Sequence, residues 1–93
     1  MTVIVSRKAQ QDLDQAYRHI AQDSPESADR LLVRILHVID ILASGELVGR
    51  NVRLRDGRQV QTWPIPPYRI YYRKSAESFN LLRVYHQARR PIE

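Results

Sequence analysis

Arginine and tyrosine interleave in two stretches of the second half, Tyr68-Arg69-Ile70-Tyr71-Tyr72-Arg73 and Phe79-Asn80-Leu81-Leu82-Arg83-Val84-Tyr85-His86. Both read as strands, rich in aromatic and β-branched residues. Side chains alternate along a strand, so Arg69, Tyr71 and Arg73 share one face and Ile70 and Tyr72 the other. On the last strand Leu81, Arg83 and Tyr85 stand opposite Leu82, Val84 and His86. Turning Ile70, Tyr72, Leu82 and Val84 to a core leaves Arg69, Tyr71, Arg73, Arg83 and Tyr85 on an open face. Such a face suits nucleic-acid bases and phosphates, or an acidic peptide laid across the sheet, or nothing but water.

His86 is the one histidine on a strand, and its parity makes it either a packed side chain or an acid–base group. His19 and His37 fall on helices. The strands hold no pair of carboxylates for glycosidase-type chemistry. No phosphate-binding glycine loop, zinc-ligand spacing or serine-nucleophile motif is present. The chain has no cysteine, which excludes disulfides, thiolate catalysis and cysteine-based metal sites. No cofactor and no metal is called for.

Charge adds direction. Of 15 Lys and Arg, 13 are Arg, against 10 Asp and Glu. Residues 1–45 hold five cations and six acids, whereas residues 46–93 hold ten cations and four acids, so the net +5 arises wholly in the second half. Arginine presents a planar fork suited to phosphate and carboxylate. Arg53, Arg55, Arg58, Arg69, Arg73, Arg83 and Arg89 are the candidate surface for an anionic partner. A solvated basic tail is the alternative reading of Arg89 and Arg90.

These residues need elements to hold them. The 93 residues suit one domain, 1–93, with a compact core. Val3-Ile4-Val5 makes a short strand, and Ser6 can cap the helix after it. Ala9, Leu13, Ala16, Tyr17 and Ile20 form one helical stripe to about Gln22, with Gln11, Asp12, Asp14 and Gln15 on the wet side. Ser24-Pro25-Glu26 restarts a helix that runs to about Ala43, with Gly45 just beyond. Its apolar set, Ala28, Leu31, Leu32, Val33, Ile35, Leu36, Val38, Ile39, Ile41 and Leu42, demands cover on two sides. The short link makes the helices an antiparallel hairpin.

After Gly49 the period becomes two. Asp56-Gly57 marks a tight turn, Gln59 to Trp63 alternates as a strand, and Pro64 to Pro67 interrupts it. Trp63 is expected under the sheet edge, and Tyr68 and Tyr72 in the core or at its rim. The residues after Pro91 are expected to fray. One strand, two helices and a run of strands give an α+β fold: a helical hairpin on one face of a small, mainly antiparallel sheet. No apolar run approaches the roughly 18 residues of a membrane span. The start of the chain lacks signal-peptide features. A cytoplasmic protein is expected.

Ala9-x-x-Asp12-Leu13 through Tyr17-x-x-Ile20, the strand Tyr68 to Arg73, and Leu82-Arg83-Val84-Tyr85-His86-Gln87-Ala88-Arg89 occur in the order and on the elements found in the ParE/RelE toxin superfamily, which the chain resembles over nearly its whole length. The resemblance implies the toxin of a type II toxin–antitoxin system, held by an antitoxin with an acidic C-terminal segment. Operator DNA would be met only through that antitoxin. RelE-like members cut messenger RNA on the ribosome, and that reading gives catalytic roles to Arg69, His86 and Arg89. ParE-like members are associated with DNA gyrase and have no recognised catalytic set. The chain has no tyrosine after Arg89 and no lysine pair before the Tyr-Arg strand. The phrase Tyr85-His86-Gln87-Ala88-Arg89 is closer to ParE-like sequences. The resemblance therefore favours a ParE-like gyrase inhibitor with a ParD-like antitoxin. The alternatives are an RNA-cutting enzyme and a non-toxic module that binds antitoxin.

Overall fold

The computed structural model describes residues 1–89 and 91–93. Strand β1 (Thr2–Val5) leads into helix α1 (Arg7–Ala21), then α2 (Pro25–Ser44), β2 (Arg50–Arg53), β3 (Gln59–Ile65), β4 (Tyr68–Lys74) and β5 (Ser78–His86). Both helix starts are capped as their sequences dictate. Ser6 Oγ accepts from Ala9 N at 3.0 Å, and Ser24 Oγ accepts from Ser27 N at 3.2 Å. Gly45 ends α2 in the left-handed region at φ +86°, where a side chain would be strained.

The five strands lie in the order β1-β5-β4-β3-β2. Every pairing is antiparallel except β1 with β5. β1 is therefore an edge, and Val3, Ile4 and Val5 remain 46, 49 and 40% exposed. The helices cover one face. Ala9 and Ala16 of α1 and Leu31, Ile35, Ile39 and Leu42 of α2 meet Ile65, Tyr68, Ile70, Tyr72, Phe79, Leu81 and Val84. Phe79 stacks on Tyr72 with ring centroids 4.6 Å apart. Each large apolar side chain so buried contributes roughly 1.5–3 kcal/mol. Trp63 is half-buried against this core, as expected.

Two expectations about packing need correction. One stripe of α2 is covered rather than two sides, and Leu32, Val33 and Leu36 stay 38, 64 and 58% exposed. The strict alternation on β5 also fails. Tyr71 pairs with Arg83 but Tyr72 with Leu81, so Leu82 is an extra residue without a partner. This β-bulge switches the phase: Phe79, Leu81 and Val84 face the helices, and Leu82 joins the opposite face.

That opposite face is not open. Leu54, Val60 and Tyr71 are buried in a second, smaller cluster, flanked by Val52, Leu82, Tyr85 and Ile92. The segment after Pro91, expected to fray, instead packs on the sheet. It folds back over the cluster, with Arg55 N donating to Ile92 O at 2.8 Å.

Candidate functional site

Three short-range choices build the end of the sheet where the chemistry-bearing residues meet. The pairing of β4 with β5 sets Tyr68 opposite His86 and Arg69 opposite Tyr85. Alternation sends the first pair toward α1 and the second to the outer face. The turn after β5, where Gln87 N donates to Pro67 O at 2.8 Å, carries Arg89 round the end of the sheet. Arg69, Tyr71, Tyr85, His86 and Arg89 then line one outer cleft of about 210 Å³ with Glu93. His86, Arg89, Tyr68 and His19 also border a second cleft of about 340 Å³ beside α1.

Within this end two guanidiniums approach the Tyr85 ring, with Arg89 Cζ 4.9 Å and Arg83 Cζ 5.3 Å from its centre. His86 meets Tyr68 edge-on at 5.1 Å. Its Nδ1 accepts from Ala88 N at 3.0 Å. The neutral ring therefore carries its proton on Nε2, its one nitrogen left for other partners. In that state His86 can donate a hydrogen bond from Nε2, but to take up a proton, and so to act as an acid, it must surrender the Ala88 bond. Burial pushes the Tyr68 phenol up, and the nearby charge of Arg89 partly offsets this.

The seven arginines singled out from the sequence divide by surroundings. Arg53 and Arg73 line a shallow groove of about 490 Å³ with Lys74, Asn51, Gln59 and Gln61, and no carboxylate borders it. Among the described residues Arg69 makes one side-chain hydrogen bond, to Thr62 Oγ1 at 3.3 Å. Arg58 is held by its neighbour Asp56, Nε to Oδ2 at 2.8 Å. The Arg58 backbone N–H is the chief cause of an Asp56 pKa below the usual carboxylate range. Arg55 lies exposed beside a recess bordered by Ile92 and Arg83. Among the described residues Arg53, Arg55, Arg69, Arg73 and Arg89 form no ion pair. Arg90 lies outside the described residues.

Arg83 is a correction. Expected on an open face, it turns to α1 and forks onto Asp12, with Nε to Oδ2 at 2.8 Å and Nη2 to Oδ1 at 3.1 Å. The bond to Asp12 raises the Arg83 pKa further. Asp12 is likewise not on the wet side, since its side chain is only 8% exposed. β1 ends opposite Leu81, which leaves the β5 edge beyond it without a strand. Ser6 Oγ donates to Leu82 O at 2.8 Å there, and Asp12 Oδ2 accepts from Val84 N at 2.9 Å. The signal in the sequence was position: Asp12 falls three after Ala9 and four before Ala16, on the buried stripe.

Tyr71, Arg50 and Glu93 are contacts that sequence reasoning missed. Tyr71, expected in the open, is 2% exposed and its hydroxyl donates to Glu93 Oε2 at 2.8 Å. Glu93 Oε1 also lies 3.5 Å from Arg50 Nη2. Burial first, then Glu93, pushes the Tyr71 phenol up to about 12. Among the described residues no three His, Asp or Glu side chains gather as a metal ion would require. No helix among them is long and apolar enough to cross a membrane.

The family model described as "ParE toxin of type II toxin-antitoxin system, parDE" matches residues 3–91. The chain belongs to the ParE toxin family. Its fold superposes on a chain of a chromosomal ParDE toxin–antitoxin system from P. aeruginosa with a TM-score of 0.71. The two are 24% identical, over 92% of this ParE-type toxin and 95% of that chain. A chain of the RelBE2 toxin–antitoxin complex from Mycobacterium tuberculosis is 26% identical, over 91% of this chain and 95% of that one, at a TM-score of 0.49. No curated protein matches the sequence. The strand-first, hairpin-then-sheet architecture read from the sequence is thus the architecture of a ParE toxin.

Proposed function

We propose that this ParE-type toxin arrests growth by binding and inhibiting DNA gyrase, and that a ParD-like antitoxin neutralises it through an acidic C-terminal segment. The observation that carries this reading is the set of five arginines, Arg53, Arg55, Arg69, Arg73 and Arg89, without an ion-pair partner among the described residues. An uncompensated cationic surface speeds encounter with an acidic segment and fixes its register. Arg58 and Arg83, engaged by Asp56 and Asp12, contribute less to such a surface. The family match supports the gyrase target by kinship. In a supercoiling assay, gyrase is expected to lose activity as the folded toxin is added and to regain it when the antitoxin follows. Unchanged supercoiling at saturating toxin sinks the reading.

A second reading draws on one observation: Arg69, His86 and Arg89 line the same cleft. Two guanidiniums would hold a phosphodiester and stabilise its developing charge; His86, once protonated at the cost of its Ala88 bond, would give the Nε2 proton to the leaving 5′ oxygen while the ribose 2′-hydroxyl bonds to phosphorus and passes its proton to water. A ribosome-dependent ribonuclease of this kind would cleave messages during translation, and both His86→Ala and Arg89→Ala would abolish cleavage. Intact messages on translating ribosomes in the presence of the wild-type chain dispose of it.

A further inference from the structure

Residues 46–93 contain four acids, and Glu93 is the one laid on the outer sheet cluster. Its carboxylate has two partners there. The Tyr71 hydroxyl donates to it at 2.8 Å, and Arg50 lies at 3.5 Å. The Tyr71 ring is wedged among Leu54, Val60 and Leu82, so its hydroxyl is a fixed donor. Arg69 borders the same cleft and has no carboxylate of its own. The hold on Glu93 is slight. Its ion-pair partner Arg50 is 64% exposed in its side chain, and water and salt screen such pairs. Half-buried Ile92, its carbonyl bonded to Arg55 N, tethers the segment.

We propose that Arg50, Arg69 and Tyr71 form a carboxylate-binding niche, filled in cis by Glu93, which an acidic side chain of the antitoxin takes over as residues 91–93 lift away. This deepens the antitoxin reading and rests on it. A cis carboxylate competes with every incoming one, so the niche sets a threshold. A segment carrying several acids passes it because its other carboxylates meet Arg53, Arg73 and Arg89 at the same time. A single free carboxylate does not.

The test is calorimetric titration of hexaglutamate at low salt into the wild-type chain, E93A, E93A/Y71F and E93A/R69A. If the niche is closed in most molecules, removing Glu93 raises apparent affinity by the inverse of its open fraction, on the order of five- to tenfold. Tyr71→Phe keeps the packed ring and deletes only the donor, so E93A/Y71F should fall back toward wild type, as should E93A/R69A. Equal affinity of E93A and wild type overturns the niche, and so does a gain that survives both second substitutions. A readout without peptide is the phenolate absorbance. The Tyr71 phenol, pushed up to about 12 by burial and then by Glu93, should ionise at lower pH in E93A. An unchanged titration also overturns the proposal. Antitoxin that binds E93A and E93A/Y71F alike defeats the niche alone, whereas antitoxin that binds neither defeats the functional reading.

Discussion

Asp12→Ala is expected to cost this toxin about 3 kcal/mol of stability, the low end of what breaking a buried ion pair costs. The low end applies because the Arg83 side chain keeps 22% of its exposure, against 8% for Asp12. The loss has two parts. The Arg83 fork is left without its carboxylate, and Val84 N–H loses its acceptor on a stretch of β5 that no strand covers. In a domain of this size the midpoint of thermal unfolding should fall by about 12–24 °C. Asp12→Asn, which keeps an acceptor oxygen, should lose less. Asp12→Ala with Arg83→Met should also lose less than the sum of the singles, because no orphaned charge remains. Urea unfolding of the wild type, D12A, D12N, R83M and D12A/R83M decides the matter, and a loss below about 1 kcal/mol in D12A would contradict the assigned role.

Gly49→Ala is the second large effect. Gly49 N donates to the buried Tyr72 hydroxyl at 2.8 Å, and the chain there passes close over β3. A methyl group at Gly49 would run into the Tyr72 hydroxyl and come within 2.7 Å of the Thr62 carbonyl oxygen. Neither neighbour can yield. Tyr72 is 1% exposed and stacked on Phe79, and Thr62 is held in the ladder opposite Tyr71. Overpacking of this kind costs about 2–3 kcal/mol. Tyr72→Phe removes one of the two clashes while leaving Gly49 N–H without its acceptor. The double variant should therefore unfold at a denaturant concentration above that expected from adding the single losses. Full additivity would show that the close approach is not what makes glycine necessary.

Much of the fold was legible because it is written in local chemistry. Ser6, Ser24-Pro25 and Gly45 each satisfy or end a helix by themselves, and Asp56-Gly57 makes its turn without distant help. What escaped was decided by contacts far apart in the chain. The bulge at Leu82 cannot be seen by counting in twos, although the consecutive Leu81 and Leu82, followed by Val84, hint that one phase must break. Residue type puts Asp12 among the solvated acids, whereas its place on the stripe of Ala9 and Ala16 points inward. Tyr71 was put on an open face because nothing in residues 68–73 announces that Ile92 and Glu93 will return over them. Arg69, His86 and Arg89 are grouped in the sequence only by the family resemblance, since strand alternation puts Arg69 and His86 on opposite faces. Their meeting at the sheet's end needed the turn after β5.

The parallel strand that opens the chain has a consequence for handling the lone toxin. Thr2-Val3-Ile4-Val5 carries no lysine, proline or inward charge to discourage another chain from continuing the ladder. Like charge is then what keeps copies apart. As pH approaches the isoelectric point of about 10.1 that repulsion fades, and concentrated protein will cohere margin to margin.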